Sequence, residues 1–206
     1  MLLDADDCQL VLIDYQTRLM PAIFEHERVL ANALRLAQLA RQFEVPVWGT
    51  AQNPSKLGDN APELHAAIAD AGGRVLSKMH FSAVAEGLGD WLRPPARKAA
   101  GGNSRSLPKH LQKPAVQEEP GRSTLVLAGC EAHVCLLQTA LELLEEEFDV
   151  WVVTDACSSR SERNRDAAFD RLASNGAELV TTEMVAFEWL RSADHPAFKT
   201  VQGLVK

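Results

Sequence analysis

Short apolar runs alternate with amphipathic stretches along the chain, and no other feature narrows the fold as much. Residues 8–13 (CQLVLI) present almost no polar face. A strand of that kind must be covered on both sides, as in a parallel sheet rather than a half-solvated antiparallel one. Comparable runs return at 46–50 (PVWGT), 74–78 (RVLSK), 123–128 (STLVLA), 150–154 (VWVVT) and 178–182 (ELVTT). The proline of the second run stands at its first position, where it breaks no ladder bond.

Helical patterns separate these runs. In 27–43, Leu30, Leu34, Ala37 and Phe43 fall on or near one face, with Arg35, Gln38 and Arg41 on others. Residues 63–71 form a short helix stopped by Gly72 and Gly73, and a shorter one covers 82–92. The stretch 134–148 sets Val134, Leu137, Leu141, Leu144 and Phe148 at core spacing. Ser159 and Glu162 have capping-box spacing, so a helix runs from 159 to 174, where Asn175 and Gly176 end it. Two short helices, 183–190 and 196–204, close the pattern. Six strands alternating with helices predict an α/β fold, a parallel sheet with helices on both faces. Right-handed crossovers favour a doubly wound order such as 3-2-1-4-5-6, with the flavodoxin-like order as the alternative.

One segment departs from this alternation. Residues 93–122 hold five prolines, three glycines, seven Lys/Arg and two acids, a loop or insertion composition. The whole chain of 206 residues carries a formal charge of -7, so this segment at +5 leaves -12 on the rest. The reading is one domain, 1–206, with a six-stranded acidic body and a basic insertion. The insertion suits a lid over an acidic substrate, a subunit contact or a flexible loop. The net negative charge gives no field to attract nucleic acid. No uncharged apolar run approaches the ~18 residues that a membrane crossing needs. Cys8, Cys130, Cys135 and Cys157 lack CxxC spacing, which reads as reduced thiols in a cytoplasmic protein. The acidic start resembles neither a signal nor a transit peptide.

Open parallel sheets bind ligands at the carboxyl ends of their strands, near the switch point between strands 1 and 4. Asp14 ends strand 1 and Lys78 ends strand 3. Strand 4 runs through Gly129, Cys130, Glu131, Ala132 and His133 to Cys135 in the first turn of a helix. There the free amides and the helix dipole lower a thiol pKa, and the N–H groups of Glu131 and Cys135 can face a developing oxyanion. A carboxylate beside the thiol can take its proton and later pass it to a leaving group, and Lys78 favours both anions. Each residue alone also has a plain reading: a core cysteine, a turn-capping aspartate, a solvated strand-end lysine. His133 and Cys135, two apart on a helix, do not face each other. Cys130 and Cys135 are a conceivable redox pair, and Cys8 reads as core. Neither GxGxxG nor GxxxxGK[ST] is present, so nucleotide phosphate binding has no local support.

The runs VLIDYQ (11–16), SKMHFSA (77–83) and GCEAHVC (129–135), in that order, resemble the isochorismatase-like cysteine hydrolases, which include nicotinamidases and N-carbamoylsarcosine amidase. DACSSRS (155–161) and HPAFK (195–199) look like the isochorismatase domain-containing subgroup. The resemblance covers nearly the whole chain. It implies a Rossmann-like three-layer α/β/α fold of strand order 3-2-1-4-5-6, an Asp-Lys-Cys triad on Asp14, Lys78 and Cys135, and a cis peptide at Cys130–Glu131. It also implies a homo-oligomer.

Two departures shape the functional reading. Where metal-binding nicotinamidases carry an Asp-x-His cluster after strand 2, residues 50–58 (TAQNPSKLG) hold no histidine and no carboxylate. No metal, no cofactor and no nicotinamide substrate is therefore expected. Isochorismatases proper lack the nucleophilic cysteine, which this chain has. The expectation is a hydrolase acting on a small amide or related C–N substrate through a thioester, with Tyr15, Gln16, Gln52 and Phe81 lining the pocket. The alternatives are a silent binding or scaffold protein of the same fold and a thiol redox protein.

Overall fold

In the computed structural model, residues 1–93 and 121–206 are described. Six strands form one parallel sheet: β1 (Cys8–Ile13), β2 (Val47–Gln52), β3 (Arg74–Lys78), β4 (Thr124–Gly129), β5 (Asp149–Val153) and β6 (Glu178–Val180). Their spatial order is β3-β2-β1-β4-β5-β6, as expected, and every pairing is parallel. The two strands at the switch point, β1 and β4, are buried at all six positions, which explains their lack of a polar face. The edge strands begin on charged, exposed residues, Arg74 and Glu178.

Two helical layers cover the sheet. On one side α1 (His26–Gln42) packs beside α3 (Pro62–Asp70), α7 (Thr182–Leu190) and α8 (Phe198–Val205). On the other, α5 (Leu137–Glu145) packs against α6 (Glu162–Ser174), with α4 (Leu88–Leu92) nearby through the short 3₁₀ turn Val84–Glu86. The short α2 (Pro54–Leu57) follows β2.

Several boundaries differ from the sequence reading. β2 runs two residues past Thr50, to Gln52, because it pairs with β3 as far as Gln52 opposite Lys78. The stretch expected as one helix over 82–92 is split at Gly87, whose φ of 89° interrupts it. Ser159 is not a helix cap. Ser161 is, its hydroxyl accepting from the Asn164 amide, while Ser159 is fully buried. β6 ends at Val180, and Thr181 caps α7 by accepting from Met184 N.

The ends of the basic segment, Leu92 and Arg122, come together on one buried side chain at the start of β1. Gln9 Nε2 donates to Leu92 O and Arg122 O, each at 3.0 Å, and its Oε1 accepts from Trp48 Nε1 at 2.9 Å. Arg122 donates in turn to the carbonyls of Ala5 and Cys8, the latter at 2.8 Å. These roots lie at the amino edge of the sheet, opposite the edge that ends in Asp14 and Lys78. The lid role suggested for 93–122 concerns residues that otherwise lie outside those described.

Candidate active site

The carboxyl edge gathers three residues that are far apart in sequence. Asp14 follows β1 with φ 55°, a left-handed conformation that aspartate tolerates better than most residues, and it is fully buried. The strand register sets Thr50 and Gly129 on either side of Ile13, so Asp14 emerges between β2 and β4. Gly129 permits this approach, since a Cβ there would fall 2.6 Å from both Cβ and O of Ile13.

Lys78, at the end of β3, is 2% exposed and not a solvated strand end. Its Nζ lies 2.7 Å from Asp14 Oδ2. The ammonium also donates to Gln52 Oε1 at 2.8 Å, Phe81 O at 2.9 Å and, more weakly, His80 O at 3.4 Å. Asp14 Oδ2 is held by its contact with Lys78. Its other oxygen, Oδ1, accepts from Thr50 Oγ1 at 2.6 Å.

Cys135 sits in a π-helical turn, Ala132–Leu136, that opens α5, and it is 6% exposed. Asp14 and Lys78 both reach its thiol. The expected lowering of the thiol pKa does not occur. Burial, then the Asp14 carboxylate, push it up to about 12 against the pull of Lys78. Burial raises Cys130, Cys157 and Cys8 as well, Cys8 to about 11. All four cysteines are free thiols.

The loop before Cys135 contains the cis peptide Cys130–Glu131. The Glu131 carboxylate accepts from Arg160 N at 3.1 Å and Arg160 Nε at 2.9 Å, which ties this loop to the segment after β5. His133 Nδ1 meets Ser159 Oγ at 2.9 Å and faces away from any dyad with Cys135.

The four residues suggested for the pocket fall in different places. Gln52 holds Lys78, and its Nε2 donates to Met79 O at 2.7 Å. Gln16 exchanges hydrogen bonds with the Gln52 backbone and so fixes it. Phe81 supplies a carbonyl to Lys78, while its ring is 52% exposed beside the site. Tyr15 points away: it is fully buried, and its hydroxyl donates to Ala156 O at 2.5 Å. Glu86 accepts from the amides of Met79 and His80, and these bonds hold its carboxyl at about 2. The 79–81 loop is thereby fixed under Lys78. Thr50 and Glu86 escaped the sequence reading. Thr50 had one signal: it is two residues from Gln52 on β2, hence on the same face of a strand reaching the carboxyl edge.

Among the described residues, no group of three or more His, Cys, Asp or Glu side chains could hold a metal ion. No helix there is long and apolar enough to cross a membrane.

Comparison with known proteins agrees with the fold. The Isochorismatase domain model matches residues 8–99 and 112–184. Isochorismatase domain-containing protein 2A of Mus musculus is 36% identical over 201 residues, covering 96% of this chain and 82% of that protein. The structure of MAR1 ribonuclease from Caenorhabditis elegans superposes with a TM-score of 0.82 at 29% identity, covering 100% of this chain and 92% of the other. The YcaC gene product of Escherichia coli, an octameric hydrolase of unknown specificity, gives a TM-score of 0.77 at 26% identity, covering 99% and 90%.

Proposed function

The chain belongs to the isochorismatase family of hydrolases, and from that premise we propose that it is a cysteine-dependent hydrolase of small amides or related C–N substrates. The observation that carries this reading is the burial of the Asp14–Lys78 ion pair against the neutral thiol of Cys135 at the carboxyl edge of the sheet.

In the resting site the thiol keeps its proton, Asp14 is a carboxylate and Lys78 an ammonium. On attack, the Cys135 proton passes to Asp14 Oδ2 while Sγ bonds to the substrate carbonyl carbon. The oxyanion rests on the N–H groups of Glu131 and Cys135. The C–N bond then breaks, and the departing amine takes the proton from Asp14. Water next gives a proton to Asp14 and attacks the thioester. The carboxylic acid leaves, and the proton returns to sulfur. Lys78 stays charged throughout and offsets Asp14 whenever it is ionised. A nucleophile as enclosed as Cys135 favours a small or slender carbonyl compound. No bound metal or cofactor takes part in these steps, and the substrate is the only small-molecule partner they need.

Homo-oligomeric assembly is part of the same proposal, supported by the octameric E. coli relative. Two rival readings of the same site are a silent binding or scaffold protein and a thiol redox protein using Cys130 and Cys135. The test is iodoacetamide labelling near neutral pH, read at the Cys135 peptide, with a panel of small amides assayed for released ammonia. Faster labelling than free cysteine and turnover lost in Cys135→Ala support the hydrolase. A thiol no faster than free cysteine sinks it, and a Cys130–Cys135 disulfide under mild oxidant favours the redox reading. An RNA oligonucleotide in the panel tests the activity named for the nematode relative.

A further inference from the structure

We propose that Thr50 is a positioning residue that makes Asp14 a one-sided base, keeping Oδ1 engaged and leaving Oδ2 for the proton of Cys135. The inference rests on the hydrolase reading above and adds which oxygen acts and what selects it.

A carboxylate has two equivalent oxygens, and nothing in Asp14 itself distinguishes them. Its surroundings do. Thr50 is fully buried, and its hydroxyl donates to Oδ1 at 2.6 Å. The partnership is doubled in the backbone, where Asp14 N donates to Thr50 O at 3.3 Å. Asn60 Nδ2 donates to the same carbonyl at 3.0 Å and steadies that end of β2. A β-branched side chain has few rotamers, so the hydroxyl stays aimed. On the other flank, Gln52 and the 79–81 loop draw off the Lys78 hydrogen bonds. Lys78 Nζ stands 2.7 Å from Oδ2, so a neutral hydroxyl holds one oxygen and a cation faces the other. Among the described residues, the ionisable groups facing Asp14 are Lys78 from β3 and Cys135 and Cys130 from the segment after β4. From β2 comes the neutral Thr50.

Without the hydroxyl, Oδ1 is a bare buried acceptor, and the carboxylate turns it toward the ammonium. The experiment follows alkylation of Cys135 by iodoacetamide between about pH 5 and 9 in full-length protein, by mass spectrometry of the Cys135 peptide. Thr50→Val keeps the shape and removes the donor. Its rate is expected to fall about tenfold or more. Thr50→Ser, which restores the hydroxyl, is expected to stay within about threefold of the parent. Thr50→Ala serves as a second variant with the same expected loss, and circular dichroism melts establish that each is folded. A folded Thr50→Val or Thr50→Ala with the parent's rate overturns the proposal, as does a Thr50→Ser that does not restore it. Failure of the hydrolase reading looks different: the parent thiol reacts no faster than free cysteine, or Asp14→Asn reacts like the parent. A fast, Asp14-dependent parent with an indifferent Thr50 overturns this inference alone.

Discussion

The two edges of the sheet bury polar side chains to opposite ends. At the amino edge, Gln9 is 3% exposed, and its amide joins Trp48 to the carbonyls of Leu92 and Arg122. Its partners are neutral and well aligned. At the carboxyl edge an acid, an amine and a thiol are buried together. Satisfied neutral polar groups fasten chain segments at little electrostatic risk, whereas buried charge is costly unless chemistry uses it. Burial alone therefore does not mark a functional residue. Buried charge beside a nucleophile does.

The contrast can be broken experimentally, most forcefully at Lys78. Lys78→Met leaves Asp14 buried without its cation, with an expected loss of about 3–5 kcal/mol in urea unfolding and of fast Cys135 labelling. Gln9→Leu strands the Trp48 N–H and two carbonyls, at an expected cost of about 1–3 kcal/mol. Its Cys135 labelling rate should match the parent's. A drop in labelling there would mean that the edges are coupled. Alkali offers a third comparison. The folded state holds the Cys135 proton up to about 12 and that of Cys8 to about 11, against an ordinary value of 9.0. Groups so raised contribute stability that is complete below pH 9 and lost as pH climbs through their folded values. Melting temperature should stay flat up to about pH 8 and fall above about pH 9, less steeply in Cys135→Ala. The smallest effect belongs to Cys135→Ala itself at neutral pH, where unfolding should shift by less than about 1 kcal/mol while labelling at that position vanishes. A large stability loss there would make the thiol structural.

The strands were legible because a doubly covered strand has to be apolar, and the runs at 8–13 and 123–128 are almost purely so. Strand order followed from chirality and from three motifs in sequence. Boundaries were less legible where two residues compete for one role. Ser159 and Ser161 are both plausible caps, and only the pairing of Ser159 with His133 decides between them. Asp14, Lys78 and Cys135 stood out as strand-end chemistry, and the fold brings them together. Their environment could not be read from residue types. A strand-end lysine is ordinarily solvated, and a helix-start thiol is ordinarily made more acidic. Burial reverses both expectations, and burial is a property of neighbours distant in sequence. Thr50 was hidden for the opposite reason: threonine suits a β-strand so well that its presence asks no question.

The Gln9 clamp bears on how this molecule can be rebuilt. Two 3.0 Å bonds to one nitrogen keep the carbonyls of Leu92 and Arg122 within about 6 Å of each other. Whatever joins those two points, they form a ready splice junction. A short glycine-serine bridge could replace the natural connection, or a fluorescent reporter with adjacent ends could be inserted there. Such a graft would sit behind the sheet, with the full length of the strands between it and Cys135.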